Sequence, residues 1–101
     1  MEPLDVNKNP FEGKPGGDVV KYPVSFELKV IFNAELEEKT HRRNLELVLE
    51  DSNVKYSFKK SLKSSKGSFI SITMEVVLES ENQMRHLYDR LKLLPGIRFA
   101  I

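Results

Sequence analysis

From Tyr22 onward the apolar residues fall on alternate positions. Val24, Phe26, Leu28, Val30 and Phe32 point one way, and Ser25, Glu27 and Lys29 point the other. A period of two over this length predicts a β-strand with one face in a core. Residues 34–50 change to helical spacing, with Leu45, Val48 and Leu49 on one side and charges elsewhere. Asn33 can cap such a helix at Ala34, or Thr40 can cap a shorter one after a loop. Val54, Tyr56 and Phe58 alternate with Lys55, Ser57 and Lys59, and Ile70, Ile72, Met74 and Val76 with Ser71, Thr73 and Glu75. The turn-forming cluster Ser64-Ser65-Lys66-Gly67 joins these two strands into an antiparallel hairpin.

Ser80-Glu81-Asn82-Gln83 reads as a capping box. Met84, Leu87, Tyr88, Leu91 and Leu94 then form one helical stripe, which Pro95-Gly96 stops. Ile97, Phe99 and Ile101 are expected to close the chain as a fourth strand, with Arg98 outward. The order β-α-β-β-α-β predicts an α+β, ferredoxin-like βαββαβ sandwich: a four-stranded antiparallel sheet in the order 4-1-3-2 with two helices on one face. The domain is expected over residues 22–101. Residues 1–21 hold scattered apolar groups, three prolines and three glycines, and are expected to be a flexible N-terminal arm.

Composition narrows the chemistry. Zero cysteines exclude thiol catalysis, disulfides and the Cys-x-x-Cys site of metal chaperones with this topology. Sixteen Lys and Arg against 15 Asp and Glu give a net charge of +1, no global case for nucleic acid or a membrane surface. No apolar run approaches the roughly 20 residues of a membrane span. Met1-Glu2-Pro3-Leu4-Asp5 lacks the layout of a secretory signal, so a cytoplasmic location is expected.

Topology alone does not assign a function. An RNA-binding sheet needs exposed aromatics, but the open face here offers Ser25, Glu27, Lys29, Ser71, Thr73 and Glu75, with only Phe69 at its entrance. An acylphosphatase-like cradle needs a Gly-rich first loop, whereas Asn33-Ala34-Glu35-Leu36-Glu37-Glu38 is acidic and lacks glycine. His41 and His86 lie in different helices with no ligand set around them; His41 is expected to be partly buried near Leu45 and Val48. No catalytic, cofactor or metal site is expected, and the domain reads as non-enzymatic.

One local charge feature stands out. Lys55, Lys59, Lys60, Lys63 and Lys66 lie in a stretch without an acid. They form a candidate interaction patch for an acidic protein surface, or a guard against pairing at an exposed strand edge. The Ser64–Gly67 amides are a candidate anion nest.

Ser64-Ser65-Lys66-Gly67-Ser68-Phe69-Ile70-Ser71-Ile72-Thr73 resembles the central motif of the YbeD-like family of small bacterial proteins of unknown function. Tyr22-Pro23, Phe26 and Lys29-Val30 resemble that family's first strand. The resemblance spans about residues 22–101 and leaves out the arm and the acidic 33–40 segment. It implies a ferredoxin-like domain similar to regulatory ACT domains, without established catalysis, for which a regulatory role connected with lipoate metabolism has been suggested. The expected function is therefore a regulatory or protein-interaction domain with a protein partner, as monomer or homodimer. The alternative is an ACT-like sensor of an amino acid or a lipoate-related ligand.

Overall fold

A computed structural model describes residues 21–100. The arm assigned to residues 1–21 and the end of the fourth strand at Ile101 therefore lie outside the described residues, apart from Lys21. Six elements follow in the expected order: β1 (Val24–Asn33), α1 (Glu38–Asp51), β2 (Lys55–Lys63), β3 (Phe69–Leu78), α2 (Glu81–Leu91) and β4 (Ile97–Ala100). The strands form one antiparallel sheet in the order β2-β3-β1-β4, which is 4-1-3-2 read from the other edge.

The alternation in sequence is the alternation in space. Leu28, Val30 and Phe32 of β1 and Ile70, Ile72, Met74 and Val76 of β3 share one face, where they are buried with Leu45 and Leu49 of α1. Met84, Leu87, Tyr88 and Leu91 of α2 complete that core together with Leu94, so the whole predicted stripe is buried. Removing these side chains from water is the main force holding helices to sheet.

The first helix begins at neither expected cap. Glu37 occupies the N-cap with no side-chain hydrogen bond, and the helix starts at Glu38. Asn33 instead ends β1, where its Oδ1 accepts the Glu35 amide at 3.2 Å and turns the chain into a loop. An Asn side chain competes well for nearby backbone donors, which favours a turn over a helix start.

The fourth strand also differs. A register shift between Ile31 and Phe32 leaves Ile97 opposite Phe32 but Phe99 opposite Ile31. The extra residue reverses the alternation. Phe99 therefore shares the open face with Ile31, and Ala100 takes the buried position opposite Val30.

Candidate functional site

The lysines of the hairpin do not form one surface. A second bulge, between Phe58 and Lys60, sets Phe58 opposite Met74 and Lys60 opposite Thr73. Two consecutive lysines, Lys59 and Lys60, consequently serve the open face. Lys59 is already engaged there: its Nζ lies 2.7 Å from a Glu27 oxygen and 3.3 Å from a Glu75 oxygen. Glu27 and Glu75 stand directly opposite each other on β1 and β3, so a single ammonium holds together two carboxylates that would otherwise repel. The hydrogen bond from Lys59 holds the Glu27 carboxyl below its ordinary value, and the two carboxylates raise Lys59. Lys55 approaches Glu79 at 4.0 Å. Lys60, Lys63 and Lys66 are exposed and enter no ion pair among the described residues.

The family-motif turn closes the hairpin from within. The Ser64 amide donates to the Phe69 carbonyl, and the Gly67 amide to the Ser64 carbonyl, at 2.8 and 2.9 Å. The Ser64 hydroxyl accepts the Phe69 amide at 3.0 Å. Gly67 adopts φ +72°, a conformation that glycine takes without strain. Ser65 and Lys66 lie exposed at the tip. Since the turn uses the Ser64 and Gly67 amides itself, those two members of the candidate nest are not available to an anion.

Beyond the Lys59 bulge the open face changes character. Leu62 on β2 and Ile31 on β1 both stand opposite Ser71, and Phe99 on β4 stands opposite Ile31. Leu62, Ser71, Ile31 and Phe99 thus form one row across all four strands. Phe69, opposite Asn33, lies two residues further along β3. Leu62 is 57% exposed and Phe69 40%. A hollow of about 280 Å³ opens here, lined by Lys29, Ile31, Leu62, Lys63, Ser64, Phe69 and Ser71. The Arg98 guanidinium lies 5.9 Å from the Phe69 ring centre.

This apolar row was only partly legible in the sequence. Alternation alone places Ile31 and Phe69 on the open face, whereas Phe99 and Leu62 carry the parity of core positions. The two bulges move Phe99 and Leu62 to the open face, and a Leu among lysines does not announce a bulge.

A second hollow, of about 470 Å³, lies between the β1–α1 loop and the edge strand. Glu35, Glu37 and Glu38 line it on one side and Ser61 and Lys63 on the other. The histidines stand elsewhere. His86 is exposed on α2, where its Nε2 accepts from Arg90 Nε at 2.9 Å. His41 is wholly buried rather than partly so. Among the described residues no group of acids and histidines is arranged to hold a metal ion, and no helix is long and apolar enough to cross a membrane.

Sequence comparison matches residues 18–101 to a family described as protein of unknown function, DUF493. The chain belongs to the DUF493 family. This is the YbeD-like family that the hairpin motif resembles. No curated protein matches the chain. The solution structure of HP0495 from Helicobacter pylori is similar, with a TM-score of 0.63 and 17% identity over 86% of this chain and 90% of that one. The C-terminal domain of MgtC from Mycobacterium tuberculosis superposes with a TM-score of 0.60 at 14% identity, covering 82% of this chain and 89% of that one. The ACT domain of a GTP pyrophosphokinase from Chlorobium tepidum does so at 0.56 and 8% identity, covering 78% and 96%. These likenesses establish an ACT-like, ferredoxin-like fold.

Proposed function

We propose that this domain is a non-enzymatic regulatory or protein-interaction module of the cytoplasm, acting through the uncovered face of its sheet. The observation that carries the reading is the apolar row Leu62–Ile31–Phe99 with Phe69 beside it, on a face that no helix among the described residues covers, Leu62 and Phe69 being exposed there. Contiguous exposed apolar surface on a small domain marks a contact site more often than scattered single residues do. The reading is also supported by how the polar groups are used. Glu27, Lys59 and Glu75 satisfy one another, and Ser64 closes a turn.

The test is affinity capture from the native cell followed by mass spectrometry, comparing the native chain with a Lys60→Glu, Lys63→Glu variant. Lys59 is left intact because Lys59→Glu would set three carboxylates together and confound folding with binding. A specific partner lost in the double variant supports the reading; undiminished capture of every partner removes this face.

A second reading, a small-molecule sensor, draws on the hollow beside the β1–α1 loop. Three carboxylates face Lys63 across it, a charge pattern that suits a zwitterion such as a free amino acid. The similarity to an ACT domain supports the same reading at the level of fold. A thermal-shift screen with amino acids, lipoate and nucleotides tests it, since a ligand at 100 times its Kd adds about 2.7 kcal/mol. No stabilisation at millimolar concentration counts against it.

A further inference from the structure

We propose that the apolar end of the open sheet face docks a short acidic peptide segment of a partner protein, with a bulky apolar side chain of that segment seated against Leu62, Phe69 and Ile31. The proposal rests on the interaction-domain reading and gives it a site and a partner chemistry.

The floor of the hollow supplies the anchor point. Leu62 and Phe69 are exposed at 57% and 40%, while Ile31 beneath them is 8% exposed and closes the bottom. An apolar side chain entering there removes apolar surface from water on both partners. Ser71 does not compete for it, because its hydroxyl donates to the Leu62 carbonyl at 3.4 Å.

The rim selects the charge. Among the described residues none that lines the hollow is acidic. Lys29 and Lys63 line it, Lys60 stands opposite Thr73 one step along the sheet, and Arg98 lies over the Phe69 ring. Lys29, Lys60 and Arg98 enter no ion pair among the described residues; Lys63 also borders the second hollow with its three acids, whereas Lys55 and Lys59 at the opposite end already have carboxylates. Such an uncompensated group around an apolar floor favours a partner carrying carboxylates on either side of its anchor. Single-stranded nucleic acid would bring negative charge too. Its bases need free ring faces, however, and here the most exposed floor residue is aliphatic while Arg98 lies over Phe69.

The experiment uses the full chain and a fluorescein-labelled synthetic peptide with Asp and Glu residues around a Leu-Phe pair. The same peptide with lysines in place of the acids and an oligouridylate serve as comparators. Binding of the acidic peptide is expected, with amide chemical-shift changes centred on Ile31, Leu62, Phe69 and Phe99. Leu62→Asp, and separately Lys29→Glu with Lys60→Glu, should each weaken it about tenfold or more, while Lys39→Glu on α1 should leave it unchanged. Leu62 and Lys60 are exposed, so circular dichroism spectra should match the native chain. Absence of binding, equal binding of the lysine peptide, survival of binding in Leu62→Asp, or oligouridylate binding at the hollow instead would each overturn the proposal. Capture of a cellular partner that Leu62→Asp leaves intact would overturn this docking site while the wider interaction-domain reading stands.

Discussion

The imidazole of His41 lies flat against the ring of Phe32, with centroids 4.3 Å apart and planes inclined by 20°. Both side chains are fully buried. His41 Nε2 lies 2.8 Å from the Asn33 carbonyl, which can only accept, so that nitrogen donates. One side chain on the first turn of α1 thereby holds the end of β1. His41→Ala should cost about 3 kcal/mol in urea unfolding, through the lost ring and the cavity left behind. His41→Phe should cost less, about 1–2 kcal/mol, because packing survives and only the Asn33 carbonyl loses its partner.

The same contact depends on a glycine. Gly96 precedes β4 at φ +74°, and its carbonyl accepts the Asn33 amide at 2.8 Å. A Cβ on Gly96 would lie 2.8 Å from Asn33 Oδ1 and 3.0 Å from His41 Cε1, whereas one on Gly67 would meet only Lys63 Cε, at 3.6 Å. Gly67→Ala should therefore cost only the left-handed backbone penalty, about 1 kcal/mol. Gly96→Ala should cost clearly more, since the clash adds to the same penalty. Thermal midpoints of the two variants, measured side by side, check the ordering.

Strong periodicity made most of this fold readable. β1 and β3 alternate without interruption on their core face, and the α2 stripe from Met84 to Leu94 is entirely buried. The failures have specific causes. Phe99 lands on the open face because the bulge leaves Arg98 as an extra residue between Ile97 and Phe99, and parity counted from sequence has no record of that. The five hairpin lysines look alike in sequence, yet their roles diverge according to which carboxylates β1 and β3 bring opposite them. Glu27 lies 32 residues before Lys59, and only strand pairing joins them.

That cluster predicts a pH dependence with two limbs. The folded Glu27 carboxyl lies below its ordinary 4.5, so its contribution is present above that value and is lost as pH falls through the lower folded one. The folded Lys59 ammonium lies above its ordinary 10.5, so its contribution is complete below that value and is lost as pH rises through the higher folded one. Lys59→Met should flatten the acid limb of a plot of melting temperature against pH. Because the groups are exposed, added salt should shrink the difference between the two proteins. An unchanged acid limb would show that the cluster contributes nothing to folding.

Gln83 joins more elements than a capping residue has to. Its amide donates to Ser80 Oγ at 3.1 Å, and its Oε1 accepts the Glu79 amide at 2.6 Å, so the box closes one residue before the N-cap. Its Nε2 donates to the Asn53 carbonyl at 2.9 Å and the Ser52 carbonyl at 3.3 Å, tying α2 to the turn that leads into β2. Ser80→Ala should cost about 1 kcal/mol, as an ordinary cap does. Gln83→Ala should exceed it, because it also leaves the Asn53 and Ser52 carbonyls without this donor. Gln83→Glu separates the two roles. It keeps the acceptor for Glu79 and places a negative charge in the first turn, where the helix dipole favours one, but it removes the donors to the turn. If Gln83→Glu matches the native chain in urea unfolding, the helix start carries the stability. If it falls with Gln83→Ala, the bond between α2 and the 52–53 turn does.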